Sequence, residues 1–180
     1  MLKIESWALN GLNSHVAGQL LLKQMYEAHT GEEMPEIGKM HRGKPYFLSG
    51  DLHFSITHTR NTVFCALSDA PVGIDAEELT RKVSPSMAEK ILSPGELAQY
   101  QALEDEEEKN LALLRFWVLK EAEVKCSGLG LRGYPNHTNF RLDDPRVQEL
   151  DGCLVAVIRQ EDVLRTCPLP KVSQEVDDAL

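Results

Sequence analysis

Residues 2–9 (LKIESWAL) alternate loosely between apolar and polar side chains, the period of a strand. Asn13 or Ser14 then offers an N-cap for a helix reaching about Ala28, with Leu20, Leu21 and Met25 among its apolar positions. The stretch 31–45 (GEEMPEIGKMHRGKP) mixes glycine, proline and basic residues and predicts an exposed loop. Three short β-rich segments follow: LHFSIT (52–57), NTVFCALS (61–68) and VGIDAE (72–77). Turn residues separate them, and the simplest arrangement is an antiparallel meander ending on the strand 72–77.

The period changes again after residue 92. Ser93, Pro94 and Glu96 have the order of an N-cap, a first helical position and a capping-box partner, so a helix begins there. Asp105 and Glu108 repeat the signal, and the run to about Cys126 is the longest predicted helix, stopped by Gly128 and Gly130. NFRL (139–142) and GCLVAVIRQ (152–160) read as strands, and Pro168, Pro170 and the polar end SQEVDDAL predict a frayed tail. Strands and helices occur in both halves, which predicts an α+β fold.

A chain of 180 residues with 42% hydrophobic and 26% charged residues is long and apolar enough to bury a core, as one domain or two small halves. Charge at Lys3 and Glu5 leaves no room for a signal-peptide apolar region, and eighteen consecutive apolar residues occur nowhere, so neither export nor membrane anchoring is expected. Cys65, Cys126, Cys153 and Cys167 are scattered without a C-x-x-C, which suggests neither zinc nor a disulfide framework and fits a cytoplasmic location. A net charge of −9 argues against a general nucleic-acid binder, and any anionic ligand must meet a local basic patch.

Within VGIDAE, Asp75 and Glu77 are two apart on a strand and project from one face. Such a pair alone is most simply a solvated edge. On the long helix, Leu114, Trp117, Val118, Glu121 and Lys125 fall within about a third of the circumference, so Glu121 and Lys125 share a side with apolar residues. A surface i,i+4 pair would lie away from Trp117. A third carboxylate beside a lysine suits a hard cation with a phosphate. In HRGKP, Arg42 and Lys44 bracket a glycine, as a clamp for an anion or as a solvated basic loop. His58 closes the strand FSITH, where a packing or capping role is the commoner one.

Taken in order, G-K-P, F-x-x-[ST]-H, V-G-I-D-x-E and F-W-x-x-K-E-A-x-x-K-x-x-G-x-G-L resemble the phosphopantetheinyl transferases of the single-chain surfactin-synthetase type, over roughly residues 40–131. The resemblance implies two pseudo-symmetric α/β halves of ferredoxin-like-related fold, divided here into 1–70 and 71–180, with coenzyme A at their junction. It implies a magnesium site of Asp75, Glu77 and Glu121, with Trp117 packing the helix and Lys125 reaching the substrate phosphate. It further implies that Lys44, Thr57 and His58, assisted by Arg42, hold the phosphates of coenzyme A. The activity implied is transfer of phosphopantetheine to a serine of an apo acyl or peptidyl carrier protein, as holo-acyl-carrier-protein synthase, with release of adenosine 3',5'-bisphosphate. Glu121, or a water it orients, is the candidate base, and a monomer is expected because one chain carries both sets of groups.

The sequence departs from the family at Ser55, where asparagine is frequent, and at Thr57, where serine is common but the hydroxyl is kept. Lys39 and Arg42 are the candidates for further nucleotide contacts, and Arg81 and Lys82 for contact with the carrier. Two alternatives share the acids: a magnesium-dependent pyrophosphatase acting on a nucleotide cofactor, which would use water instead of a protein hydroxyl, and a non-catalytic coenzyme-A-binding subunit. Retention of all three acids and Lys125 disfavours the second.

Overall fold

The structure is a computed structural model and describes residues 1–128 and 138–160. In chain order its elements are β1 (Leu2–Ala8), α1 (Ser14–Thr30), β2 (Ile37–Lys39), β3 (Pro45–Phe47), β4 (His53–His58), β5 (Thr62–Ser68) and β6 (Val72–Glu78). A 3-10 turn at Pro85–Met87 precedes α2 (Ala88–Ile91), α3 (Pro94–Gln101), α4 (Glu106–Ser127), β7 (Val147–Leu150) and β8 (Cys153–Arg159). The class is mixed α+β, and no described helix is long and apolar enough to cross a membrane.

Two three-stranded antiparallel sheets, ordered β1-β5-β4 and β6-β8-β7, carry the architecture. Alternation along the central strands explains why they stack. On β5, Val63, Cys65 and Leu67 face α1 and pack with Leu21, Leu22 and Met25. Its intervening residues Phe64 and Ala66 face the other way and meet Val72, Ile74, Val155 and Val157 of the second sheet. On β8, Leu154, Ala156 and Ile158 turn instead toward α4, joining Leu114, Val118, Leu119 and Ala122. Three apolar layers thus hold α1, two sheets and α4 in sequence, and both central strands are buried on both faces.

The helix signals are met by the expected atoms. Asn13 Oδ1 accepts the amide hydrogens of His15 and Val16, and Ser93 and Glu96 form both arms of a capping box. Asp105 caps α4 through the amides of Glu107 and Glu108, and Gly128 closes it in the left-handed region. Gly130 and the tail from residue 161, on which a second stop and fraying were expected, lie outside the described residues.

Three expectations are corrected, and one unpredicted strand is added. The meander stops at β5: β1 occupies that strand's second edge, so β6 leaves to pair with β8 in the other sheet. The loop 31–45 contains β2, and β3 follows from Pro45, the two pairing as a hairpin whose Ile37 and Phe47 pack under α1. NFRL is not a strand; its Phe140 is a buried plug whose amide donates to Glu96 Oε1 at 2.9 Å. The partner of β8 is instead β7, joined by Asp151-Gly152, both at positive φ (50° and 72°) as a two-residue hairpin turn demands.

Candidate functional site

The site forms where β6 runs beside α4. The strand's Val72, Ile74 and Ala76 enter the layer between sheets, which leaves Gly73, Asp75 and Glu77 on the side of α4. At Gly73 the two backbones nearly touch: an added Cβ would stand 1.9 Å from the carbonyl oxygen of Ala122 and 2.4 Å from the amide nitrogen of Cys126. Two residues along, Asp75 Oδ1 meets Lys125 Nζ at 2.5 Å. Two further, Glu77 is paired with Arg81, whose guanidinium carbon is 5.9 Å from the centroid of the Trp117 ring. Trp117 itself packs against the apolar layer under α4, as expected for it.

Strand β4 closes the cluster from the other side. Thr57 Oγ1 donates to Asp75 Oδ1 at 3.1 Å and accepts from Lys125 Nζ at 3.0 Å, so threonine, carboxylate and ammonium form a triangle. Ser55, noticed in the sequence only as a departure, links the sheets: its Oγ accepts the amide hydrogen of Ile74 at 3.2 Å, beside Asp75.

Asp75 Oδ2 is buried and has no hydrogen-bond partner among the described residues. Burial pushes the Asp75 carboxyl above the usual carboxylate range, against the pull of Lys125, with the charge of Glu77 adding to the rise. Glu121 is half-buried and raised as well, first by burial and then by the charge of Asp75, with Lys125 opposing and Glu77 contributing. The three acids therefore act on one another. As the side chains stand, the described residues contain no ready cluster of three metal-ligating groups, since Lys125 and Arg81 hold Asp75 and Glu77. The donor set nonetheless suits a hard divalent cation: all three groups are oxygen ligands, and one buried carboxylate oxygen is already stripped of other partners.

Raised folded-state values have a measurable consequence. The folded chain retains protons on Asp75 and Glu121 that the unfolded chain has released, so these groups lower stability as pH rises from the ordinary carboxylate range through their raised values. Asparagine at residue 75 is neutral throughout. In chelator, the thermal midpoint of the wild type is expected to gain on that of Asp75→Asn as pH falls from about 7 to about 5. A midpoint difference that moves the other way on acidification overturns this direction.

Beside the triangle opens a cavity of about 280 Å³, lined by Arg42, Lys44 and Lys125 over Phe54, Ile56 and Val124. Arg42 is exposed at its rim. Lys44 is partly committed to the fold: its Nζ donates to the carbonyl of Cys126 at 2.6 Å and that of Val72 at 3.2 Å, tying the hairpin to the end of α4 and the start of β6. Burial lowers its pKa. His58 is exposed at the end of β4, its Nδ1 3.2 Å from the carbonyl of Thr59, and is not among the lining residues. The sequence-derived residues Thr57, Asp75, Lys125 and Glu121 thus converge, while His58 stands apart.

Sequence reasoning gave no role to Gly73 or Lys120. For Lys120 a signal existed: Leu113, Phe116 and Val124, at helical spacing from it, are all apolar, and a lysine in such a stripe must be buried with a partner. That partner is Glu96, 2.8 Å away.

Residues 71–158, the segment bearing β6 and α4, match the 4'-phosphopantetheinyl transferase superfamily. Among curated proteins, the chain is 31% identical over 109 residues to a 4'-phosphopantetheinyl transferase of Bacillus subtilis, covering 60% of this chain and 48% of that protein. It is 31% identical over 124 residues to the 4'-phosphopantetheinyl transferase HetI of Nostoc sp., covering 64% and 52%, and 35% identical over 81 residues to Sfp of Bacillus subtilis (strain 168), covering 45% and 35%. The chain spans about half the length or less of these relatives. The superfamily match thus spans the strand and helix that build the carboxylate–lysine cluster, and the chain is similar over part of its length to several 4'-phosphopantetheinyl transferases.

Proposed function

We propose that the protein transfers phosphopantetheine from coenzyme A to a serine of an apo carrier protein, with magnesium held by Asp75, Glu77 and Glu121. The observation that carries this reading is the Thr57–Asp75–Lys125 triangle with Glu121 coupled to it, beside a cation-lined cavity, in a chain whose residues 71–158 match this superfamily. The serine oxygen attacks the phosphorus that bears pantetheine, and the bond from that phosphorus to the bridging oxygen breaks. Adenosine 3',5'-bisphosphate leaves with the bridging oxygen. Bound magnesium would supply charge neutralisation for the diphosphate oxygens as negative charge grows on them.

The remaining work falls to side chains. Lys125 Nζ, 2.5 Å from Asp75 and 3.0 Å from Thr57, can exchange one of these partners for a phosphate oxygen without moving far. Glu121, or a water it orients, accepts the serine proton. Arg42 and Lys44 on the cavity wall, with His58 farther out, attract the phosphates of the adenosine end. Two halves divided near residue 70 would each supply part of one site within one chain, which favours a monomer, and the reaction belongs in the cytoplasm, where coenzyme A and apo carriers meet.

The direct test is mass spectrometry of an apo acyl or peptidyl carrier protein incubated with the protein, coenzyme A and magnesium. A phosphopantetheine-sized gain on the carrier, abolished by chelator, is expected. Cleavage of coenzyme A without that gain would establish a pyrophosphatase instead.

The clamp residues should behave differently from one another. His58→Ala is expected to raise the KM for coenzyme A more than it lowers kcat, with little change in thermal midpoint, as loss of a contact equal in ground and transition states would. Lys44→Ala should raise KM and also destabilise the fold by about 1–3 kcal/mol, since two carbonyls lose a charged donor. Steady-state kinetics with coenzyme A and its 3'-dephospho form separate these effects. Equal use of the two cofactors by the wild type would remove the clamp assignment.

A further inference from the structure

The pair Lys120 and Glu96 is not used by the transfer chemistry, yet both side chains are almost completely buried, at 1% and 0% exposure. The Glu96 carboxylate receives three donors: Lys120 Nζ at 2.8 Å and the amide of Ser93 at 2.8 Å on Oε2, and the amide of Phe140 at 2.9 Å on Oε1. Lys120 Nζ also donates to the carbonyl of Thr138 at 3.4 Å and stands 5.8 Å from the centroid of the Phe140 ring. Ser93 Oγ in turn donates to Asn139 Oδ1 at 2.8 Å. One carboxylate thus joins the first turn of α3, the segment 138–140 and the middle of α4.

A buried ion pair is an inefficient way to add stability, because apolar side chains of similar volume usually serve as well. What it does add is direction. The apolar contacts of α4 with β8 tolerate a small roll of the helix, whereas an ammonium held by a capped carboxylate tolerates little. Lys120 immediately precedes Glu121 and points about 100° away from it around the axis, while Glu121 and Lys125 lie about 40° apart. Holding Lys120 on the α3 side therefore aims the other two at β6.

We propose that the Lys120–Glu96 pair is a positioning device that fixes the rotation of α4 and so the aim of Glu121 and Lys125 at Asp75. Lys120 is a positioning residue, not a catalytic one, and the kinetic part of this inference rests on the transfer reading above.

The test is the double variant Lys120→Met with Glu96→Gln, which removes both charges at nearly constant volume. Its thermal midpoint should return above those of the two single variants. Its kcat for transfer should nevertheless stay about tenfold or more below wild type, with the KM for coenzyme A within about threefold, because Arg42 and Lys44 on the cavity wall are untouched. A pair that only supports the fold would return kcat together with stability, and a double variant within threefold of wild-type kcat overturns the proposal. If the double variant does not fold, Lys120→Arg, which keeps the charge but changes the reach, should show the same lowered kcat at unchanged KM; wild-type kcat there overturns it.

A readout independent of transfer separates this inference from the activity itself. In a Trp7→Phe background Trp117 is the sole tryptophan, lying on α4 near the Arg81 guanidinium. Its emission should shift in the double variant, or in Lys120→Arg, while far-ultraviolet circular dichroism stays native. Unshifted emission overturns the positioning role. A shift in a protein whose wild type modifies no carrier overturns only the transfer reading.

Discussion

Asp75→Ala and Glu121→Gln are each expected to lower phosphopantetheine transfer by about 10²–10³-fold or more while leaving a folded protein. The expectation comes from what each group touches. Asp75 is the acceptor shared by Lys125 and Thr57, and its second oxygen is buried without a hydrogen-bond partner among the described residues, which is where the proposed cation would bind. Alanine removes that oxygen, and it leaves the Lys125 ammonium without the carboxylate that orients it. In Glu121→Gln the shape stays while the charge and the proposed proton acceptor go, so binding of coenzyme A should change less than kcat. Glu77→Gln should be milder, since Arg81 already neutralises that carboxylate. Transfer assays at saturating coenzyme A, with circular dichroism on each variant, measure all three. A Glu121→Gln enzyme within threefold of wild type, or undiminished transfer in excess chelator, would remove the metal assignment.

Much of the site was legible because its residues sit on elements with strong local signals. Ser93 with Glu96, Asp105 and Gly128 delimit α3 and α4 by capping chemistry that operates within a few residues of chain. Given α4, its helical period puts Glu121 and Lys125 on one side; given β6, its alternation puts Asp75 with Glu77. What escaped was decided by partners distant in sequence. β6 resembles the next strand of a meander until β1, some sixty residues earlier, is seen to occupy the available edge of β5. Phe140 looks like a strand residue because it is apolar and β-prone, but the carboxylate of Glu96 takes its amide and ends any ladder there. Lys44 reads as a free cation of a basic loop, whereas two carbonyls from β6 and α4 capture its ammonium. The hairpin turn Asp151-Gly152 is a different case, since its signal is local and strong and marks β7 as well as β8.

The contact that makes the strand and helix act together is the one at Gly73, and Gly73→Ala is expected to be the most damaging alanine substitution among the described glycines. Its Cβ would lie 1.9 Å from the Ala122 carbonyl oxygen and 2.4 Å from the Cys126 amide nitrogen. Both are backbone atoms inside a hydrogen-bonded helix, so no rotamer change relieves the overlap and α4 must move away from β6. Overpacking of this kind costs about 1–3 kcal/mol, occasionally more, and a displacement of about 1 Å at the reacting groups can by itself lower turnover about 10²-fold. The Asp75–Lys125 contact lies two residues along the same face and would open with it. Gly18→Ala is the matched comparison, because its Cβ would meet Ile56 Cγ2 at 2.9 Å, and a side chain on β4 can turn aside. The expected result is a Gly73→Ala protein with a clearly lowered thermal midpoint and transfer reduced about 10²-fold even at low temperature, beside a Gly18→Ala protein that loses little of either. Equal effects from the two substitutions, or normal transfer by Gly73→Ala, would mean that the close approach of α4 to β6 is not what sets the distance between Asp75 and Lys125.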